Sequence, residues 1–164
     1  MVSEKIDSRQ AFLSASEYRQ YAYFRVMSSL PLGHVGDVLE LEPIRYWDKG
    51  DSFESRGKTF ERKFSNWALE SGCLETEPFE AHFNALLEML EPRAQQLAII
   101  NEQHECAIVC VAYSLQSCGF EMSADLMRRL AALGLSVELD AYGMTDPHDE
   151  IENLRSLIET AQSI

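Results

Sequence analysis

Glu105-Cys106-Ala107-Ile108-Val109-Cys110-Val111-Ala112-Tyr113 is the stretch whose reading decides the fold. From Cys106 onward every residue is apolar or amphipathic, too short a run to cross a bilayer and too β-branched to make a comfortable helix. It predicts a strand buried on both faces in the middle of a sheet, with the rest of the chain as its covering.

Working outward, Cys118-Gly119-Phe120 reads as a turn, and Ser123 as the cap of a helix with Leu126, Met127, Leu130 and Leu133 on one side. Gly134 supplies a left-handed stop. Leu135, Val137, Leu139 and Ala141 then alternate with Ser136, Glu138, Asp140 and Tyr142, predicting a strand with one wet face. On the other side, Thr76-Glu77-Pro78 announces a helix whose stripe is Phe79, Phe83, Leu86, Leu87 and Leu90, with His82 on its rim. A shorter helix over 93–102 follows. Earlier still, residues 18–28 set Ala22, Phe24 and Val26 against Tyr21, Tyr23, Arg25 and Met27, a strand whose second face we expect a helix to cover. A short helix is expected over 35–41, a loop over 44–57, and a strand over 60–71 with Trp67 as a core anchor. Asp146-Pro147 opens a last helix with Asp149, Glu150 and Glu152 in its early turns and Ile151, Leu154, Leu157 and Ile158 as its stripe.

This order predicts one α+β domain over 1–164, with a core over 17–143 and an acidic C-terminal helix over 144–164. The sheet should be antiparallel or mixed, of about four strands, with helices mainly on one face. Its two halves suggest a duplicated β-α-β plan of ferredoxin-like or related topology, the second copy being the strand at 105–113, the helix from Ser123 and the strand from Leu135.

The 164 residues carry a formal net charge of −13. Residues 1–63 are balanced, ten Lys/Arg against ten Asp/Glu, so the excess falls entirely in 64–164, where four arginines face seventeen acids. Such a surface repels nucleic acid and anionic lipid and attracts basic partners. The N-terminal residues lack the apolar run of a signal peptide, so a cytoplasmic location is expected. Cys106 and Cys110 would sit about 13 Å apart on a strand, and with Cys73 and Cys118 they read as reduced structural thiols and not as a metal or disulfide set.

Catalytic signatures are missing from the chain: it holds no G-x-S-x-G, G-x-x-x-x-G-K, H-E-x-x-H or G-x-G-x-x-G. Gly33-His34-Val35-Gly36 has the spacing of a phosphate-clamping loop, but Asp37, Glu40 and Glu42 follow it and oppose phosphate. His104-Glu105-Cys106 lacks the residue between His and Glu and the later P-C-x-x-C of a zinc deaminase. The histidines look scattered, and no cofactor or metal is expected. A cluster at Arg56, Lys58, Arg62 and Lys63 reads as a solvated hairpin.

Leu41-Glu42-Pro43, Lys49-Gly50-Asp51, Asn66-Trp67-Ala68-Leu69-Glu70-Ser71, Glu80-Ala81-His82-Phe83, Ser123-Ala124-Asp125-Leu126, Leu133-Gly134 and Leu139-Asp140-Ala141-Tyr142, in this order and spacing, resemble the bacterial family of domain of unknown function 4279. The resemblance covers residues 20–143. It implies the domain boundaries and, through relatives among toxin-immunity genes, an inhibitory role; it implies no catalytic residues.

The expected function is therefore a non-enzymatic binding protein that engages a basic protein, in its most concrete form an immunity-type inhibitor of a basic bacterial toxin. Glu138, Asp140, Asp146, Asp149, Glu150 and Glu152 would pair with the partner's Lys/Arg, and Trp47 or Tyr142 would supply a buried anchor. The alternative is a small-ligand module or cryptic enzyme with a pocket around residues 44–57, formed by Arg45, Trp47, Asp48, Trp67 and His82.

Overall fold

The computed structural model describes residues 19–114 and 119–143. Strand β1 (Arg19–Ser28) leads to helix α1 (Val35–Leu39), strand β2 (Arg45–Trp47) and a hairpin of β3 (Ser52–Ser55) with β4 (Lys58–Glu61). Strand β5 (Ser65–Glu70) follows, then α2 (Phe79–Leu90), a 3₁₀ turn (Glu91–Arg93) and α3 (Ala94–Asn101). Strand β6 (Glu105–Ser114), α4 (Ala124–Ala132) and β7 (Ser136–Gly143) complete the described chain.

The fold is α+β, with a five-stranded mixed sheet in the order β2-β5-β1-β6-β7 and the hairpin as a separate two-stranded sheet. β6 is buried along nearly its whole length, as its run of apolar residues predicts, but β1 holds the middle position. Pairing is antiparallel except between β6 and β7. These directions correct the expected repeat. The interleaved units are β1-α1-β2, split by β5, and β5-α2-α3-β6, split by β1; this is the split β-α-β-β-α-β arrangement. The β6-α4-β7 segment, expected as the second copy, is instead an appended parallel unit.

Two further differences lie between residues 44 and 71. The region expected as a loop contributes β2 and β3, and the strand expected over 60–71 is two strands in two sheets. Between them the backbone N–H of Arg62 donates to Asp51 O at 2.8 Å, prolonging the hairpin before the chain crosses to β5. These strands are short and mostly exposed, so they carry no apolar alternation to read.

Register decides which residues form the core. Ala22, Phe24 and Val26 of β1 share a face with Cys110, Ile108 and Cys106 of β6 and with Trp67 and Leu69 of β5. Onto that face pack Val35 and Leu39 of α1, the stripe of α2, Leu97 and Ile100 of α3, and Leu126 and Leu130 of α4. Every described helix thus sends its buried residues into one cluster. Trp67 is the anchor its size suggested, meeting Phe24 edge to face at 6.1 Å. Burial pushes the Cys106 and Cys110 thiols up to about 12, which keeps them protonated and unreactive.

Polar clamps fix the helices. Arg129 of α4 grips Glu91 with two hydrogen bonds, 2.7 and 3.1 Å, and reaches Asn84 Oδ1 at 2.8 Å, tying α4 to α2. Its guanidinium holds the Glu91 carboxyl below the usual carboxylate range. Arg93 donates to the carbonyls of Leu39 and Met89 and so closes the C-terminal ends of α1 and α2.

Gly134 ends α4 at φ +68°, and the Asn101 amide donates to its carbonyl at 2.8 Å. A methyl group there would come within 2.5 Å of Asn101 Nδ2. Gly134→Ala is therefore expected to cost at least ~1 kcal/mol through the left-handed backbone and the displaced Asn101. Urea unfolding checks this; an unchanged midpoint would contradict it.

Candidate functional site

The sheet has a second face, and no described helix packs on it. Register places Arg45 and Trp47 of β2, Asn66, Ala68 and Glu70 of β5, and Arg19, Tyr21, Tyr23, Arg25 and Met27 of β1 on this side. Ala107, Val109, Val111 and Tyr113 of β6 continue it, and Ser136, Glu138, Asp140 and Tyr142 of β7 complete it. The helical cover expected over the tyrosine face of β1 is not formed by any described helix. The small β6 residues on this side, Ala107, Val109 and Val111, are buried, and register sets Val109 between Tyr23 and Glu138, and Val111 between Tyr21 and Asp140.

At the β7 side, Tyr113 and Tyr142 stack with centroids 4.9 Å apart, and the Arg19 guanidinium lies 4.5 Å from the Tyr113 centroid. Arg25 Nη2 donates to Glu138 Oε1 at 2.5 Å, crossing β6 to reach it. Arg25 is mostly buried, and its Nε has no acceptor. Glu138 and Asp140 share the wet face, as their spacing requires, yet they differ in state. Glu138 is neutralised by Arg25, whereas Asp140 forms no ion pair among the described residues.

Trp47 lies on the opposite edge of the sheet, four strand spacings or roughly 19 Å from β7. Its indole N–H donates to Phe64 O at 3.1 Å, and Arg62 lies 4.0 Å from its ring centroid and 3.9 Å from that of Phe53. Trp47 is thus a strand residue already engaged and not a free loop anchor beside the acidic residues. Arg62 is likewise sandwiched, not merely solvated. Asp146, Asp149, Glu150 and Glu152 lie outside the described residues.

The five residues of the alternative pocket do not line one cleft. Arg45 and His82 share a cleft of about 410 Å³ with Tyr21, Tyr23, Glu70 and Ser71. Trp67 borders a different one, of about 380 Å³, between α1 and β2. Asp48 is occupied locally: it accepts from the Tyr46 hydroxyl at 2.5 Å and from Leu32 N–H at 2.8 Å. This pushes the Tyr46 phenol up to about 12. The Asp48 carboxyl is held low despite burial, which works against it.

His82 is fully buried, not on the rim, because the 71–77 segment passes over α2. Its Nδ1 lies 2.6 Å from Ser71 Oγ, and the backbone of Leu74 and Glu77 and the Glu77 carboxylate lie close enough to favour its charged form against burial. Nor are all the histidines scattered: the rings of His34 and His104 lie 5.5 Å apart, and His104 Nδ1 meets Ser28 Oγ at 2.9 Å. Sequence offered no signal for this contact, which joins a loop to the start of β6. Among the described residues no group of three or more His, Cys, Asp or Glu side chains could hold a metal ion.

The family model "Domain of unknown function (DUF4279)" matches residues 16–144. The chain belongs to the DUF4279 family. The DUF4279 match begins just before β1 and ends just after β7, so it spans the whole five-stranded sheet. No curated protein and no solved structure matches the chain. Among the described residues no helix is long and apolar enough to cross a membrane.

Burial holds the imidazoles of His82 and His104 below the usual histidine value, with His34 adding to the effect on His104. Just below pH ~6.5 the unfolded chain then binds more protons than the folded one, so stability falls as the pH drops through that value and continues to fall until the folded pKa values are passed. The urea midpoint is expected to decrease from pH 7.5 to 5.5, and His104→Gln should flatten the decrease. A midpoint that rises over this window would contradict the assignment.

Proposed function

We propose that this DUF4279 chain is a non-catalytic binding protein that engages a basic protein through the β7 side of its second sheet face. The observation that carries this reading is the exposed group on β7: Asp140, without an ion pair among the described residues, beside Glu138 and next to Tyr142 held flat by its stacking on Tyr113. Tyr142 is 51% exposed and offers a rigid aromatic surface of the kind that anchors protein interfaces. It takes the anchoring role for which Trp47 is too distant. The acids at 146, 149, 150 and 152 follow β7 directly along the chain and extend its negative charge in sequence.

A field of this sign steers Lys- and Arg-rich surfaces into contact and rejects nucleic acid. The mechanism is blocking: carboxylates of this chain pair with cations that the partner otherwise presents to its own anionic substrate. Inhibition of a basic toxin, as by an immunity protein acting in the cytoplasm, is the most concrete form of this activity. The second reading is a small-ligand module, favoured by the Ser71–His82 pair in the cleft that Arg45 also lines.

A tagged full-length chain used as bait in extracts of its source is expected to retain a stoichiometric basic protein at low salt and to release it at about 0.5 M salt, where charges are screened beyond roughly 4 Å. Asp140→Lys should lower retention several-fold. Retention that ignores both salt and Asp140→Lys would exclude the acidic surface as the contact.

A further inference from the structure

The two edges of the sheet are built differently. β2, at one end, is three residues long and is followed by the hairpin. β7, at the other, runs for eight residues, about 26 Å, and Glu138 to Gly143 are exposed. An edge strand turns a row of backbone N–H and C=O groups outward, and proteins usually blunt such a row with lysine, proline or a bulge. β7, with the sequence Ser-Val-Glu-Leu-Asp-Ala-Tyr-Gly, has no lysine, proline or bulge; its two charged side chains, Glu138 and Asp140, are acidic, and its register with β6 runs unbroken from Ser136 to Gly143.

We propose that β7 is a docking edge, on which an extended segment of a basic partner protein adds as a sixth strand. This rests on the binding function proposed above and specifies its mode. The side chains of β7 define the segment. Glu138 and Asp140 lie on the second face, where cross-strand neighbours of opposite charge are favoured. Leu139, 46% exposed, and the half-buried Val137 point to the helical face, where an apolar neighbour extends the core. The matching segment alternates Lys or Arg with β-branched apolar residues, and the backbone ladder supplies affinity independent of its detailed sequence. A second copy of this chain is disfavoured by the same charges, because antiparallel self-pairing about residue 139 sets Glu138 of each copy opposite Asp140 of the other.

The test uses the full-length chain with an acetylated decapeptide of alternating lysine and valine, and two analogues N-methylated either at the valines or at the lysines. Only one set of amides in an added strand faces β7. The parent should therefore bind, one analogue should lose at least about tenfold in affinity, and the other should retain binding. The parent should also slow hydrogen exchange at alternate amides between 136 and 143, and Asp140→Lys should weaken it several-fold. If both analogues bind like the parent and the β7 amides stay unprotected while Asp140→Lys still weakens binding, strand addition is wrong and the acidic-surface reading survives. If the parent fails to bind at low salt, or binds without regard to salt and Asp140→Lys, both fall. β7 amides already protected in the free chain would also overturn the proposal: with a dimer in sedimentation the occupant is a second copy, and with a monomer it is a segment of the same chain.

Discussion

The antiparallel register between β1 and β6 is the constraint on which the rest of this structure depends. Pairing Phe24 with Ile108, and Tyr23 with Val109, assigns every second residue of both strands to one side. Because side chains alternate strictly, a slip of one residue would carry Phe24 and Val26 out of the core and bring Tyr23 and Arg25 into it. Trp67 and Leu69 obey the same parity from β5, and Val137 and Leu139 from β7. The four described α-helices then have one apolar surface on which to gather.

On the opposite face β6 carries small side chains, Ala107, Val109 and Val111, all of them buried. β1 and β7 supply tyrosines, Arg25 and carboxylates, which keep apolar ring surface and polar tips together at the boundary with water. Arg25 spans β6 to reach Glu138, so among the described residues Glu138 is neutralised from two strands away and Asp140 forms no ion pair. β2 is three residues long and β7 eight, so the two ends of the described sheet differ.

Several of these features are legible along the chain. The run from Cys106 to Tyr113, the stripe of α2, the Ser123 cap and Gly134 stop of α4, and the alternation through Leu135 to Tyr142 each depend on neighbours within a few residues. Ser123 does accept the Leu126 N–H at 3.1 Å. The short strands β2 and β3 are not legible, because a three- or four-residue exposed strand has no periodicity of its own and exists only because a partner accepts its backbone. His82 misleads for a related reason: its helical position beside Phe83 suggests a rim, whereas the segment over 71–77 buries it.

By itself the sequence determined the α+β class, the helices and their apolar faces, the two-faced burial of the 105–113 strand, the family, and the wet face that carries Glu138, Asp140 and Tyr142. These rest on local periodicity and on side-chain chemistry, which the chain states directly. Only the tertiary structure decided that β1 occupies the centre, that β5 and β1 split the two crossover units, that Trp47 and β7 stand at opposite edges, and that Arg25 meets Glu138. Strand order and edge exposure arise from hydrogen bonds between residues distant in sequence, and alternation is the same whichever neighbour a strand acquires.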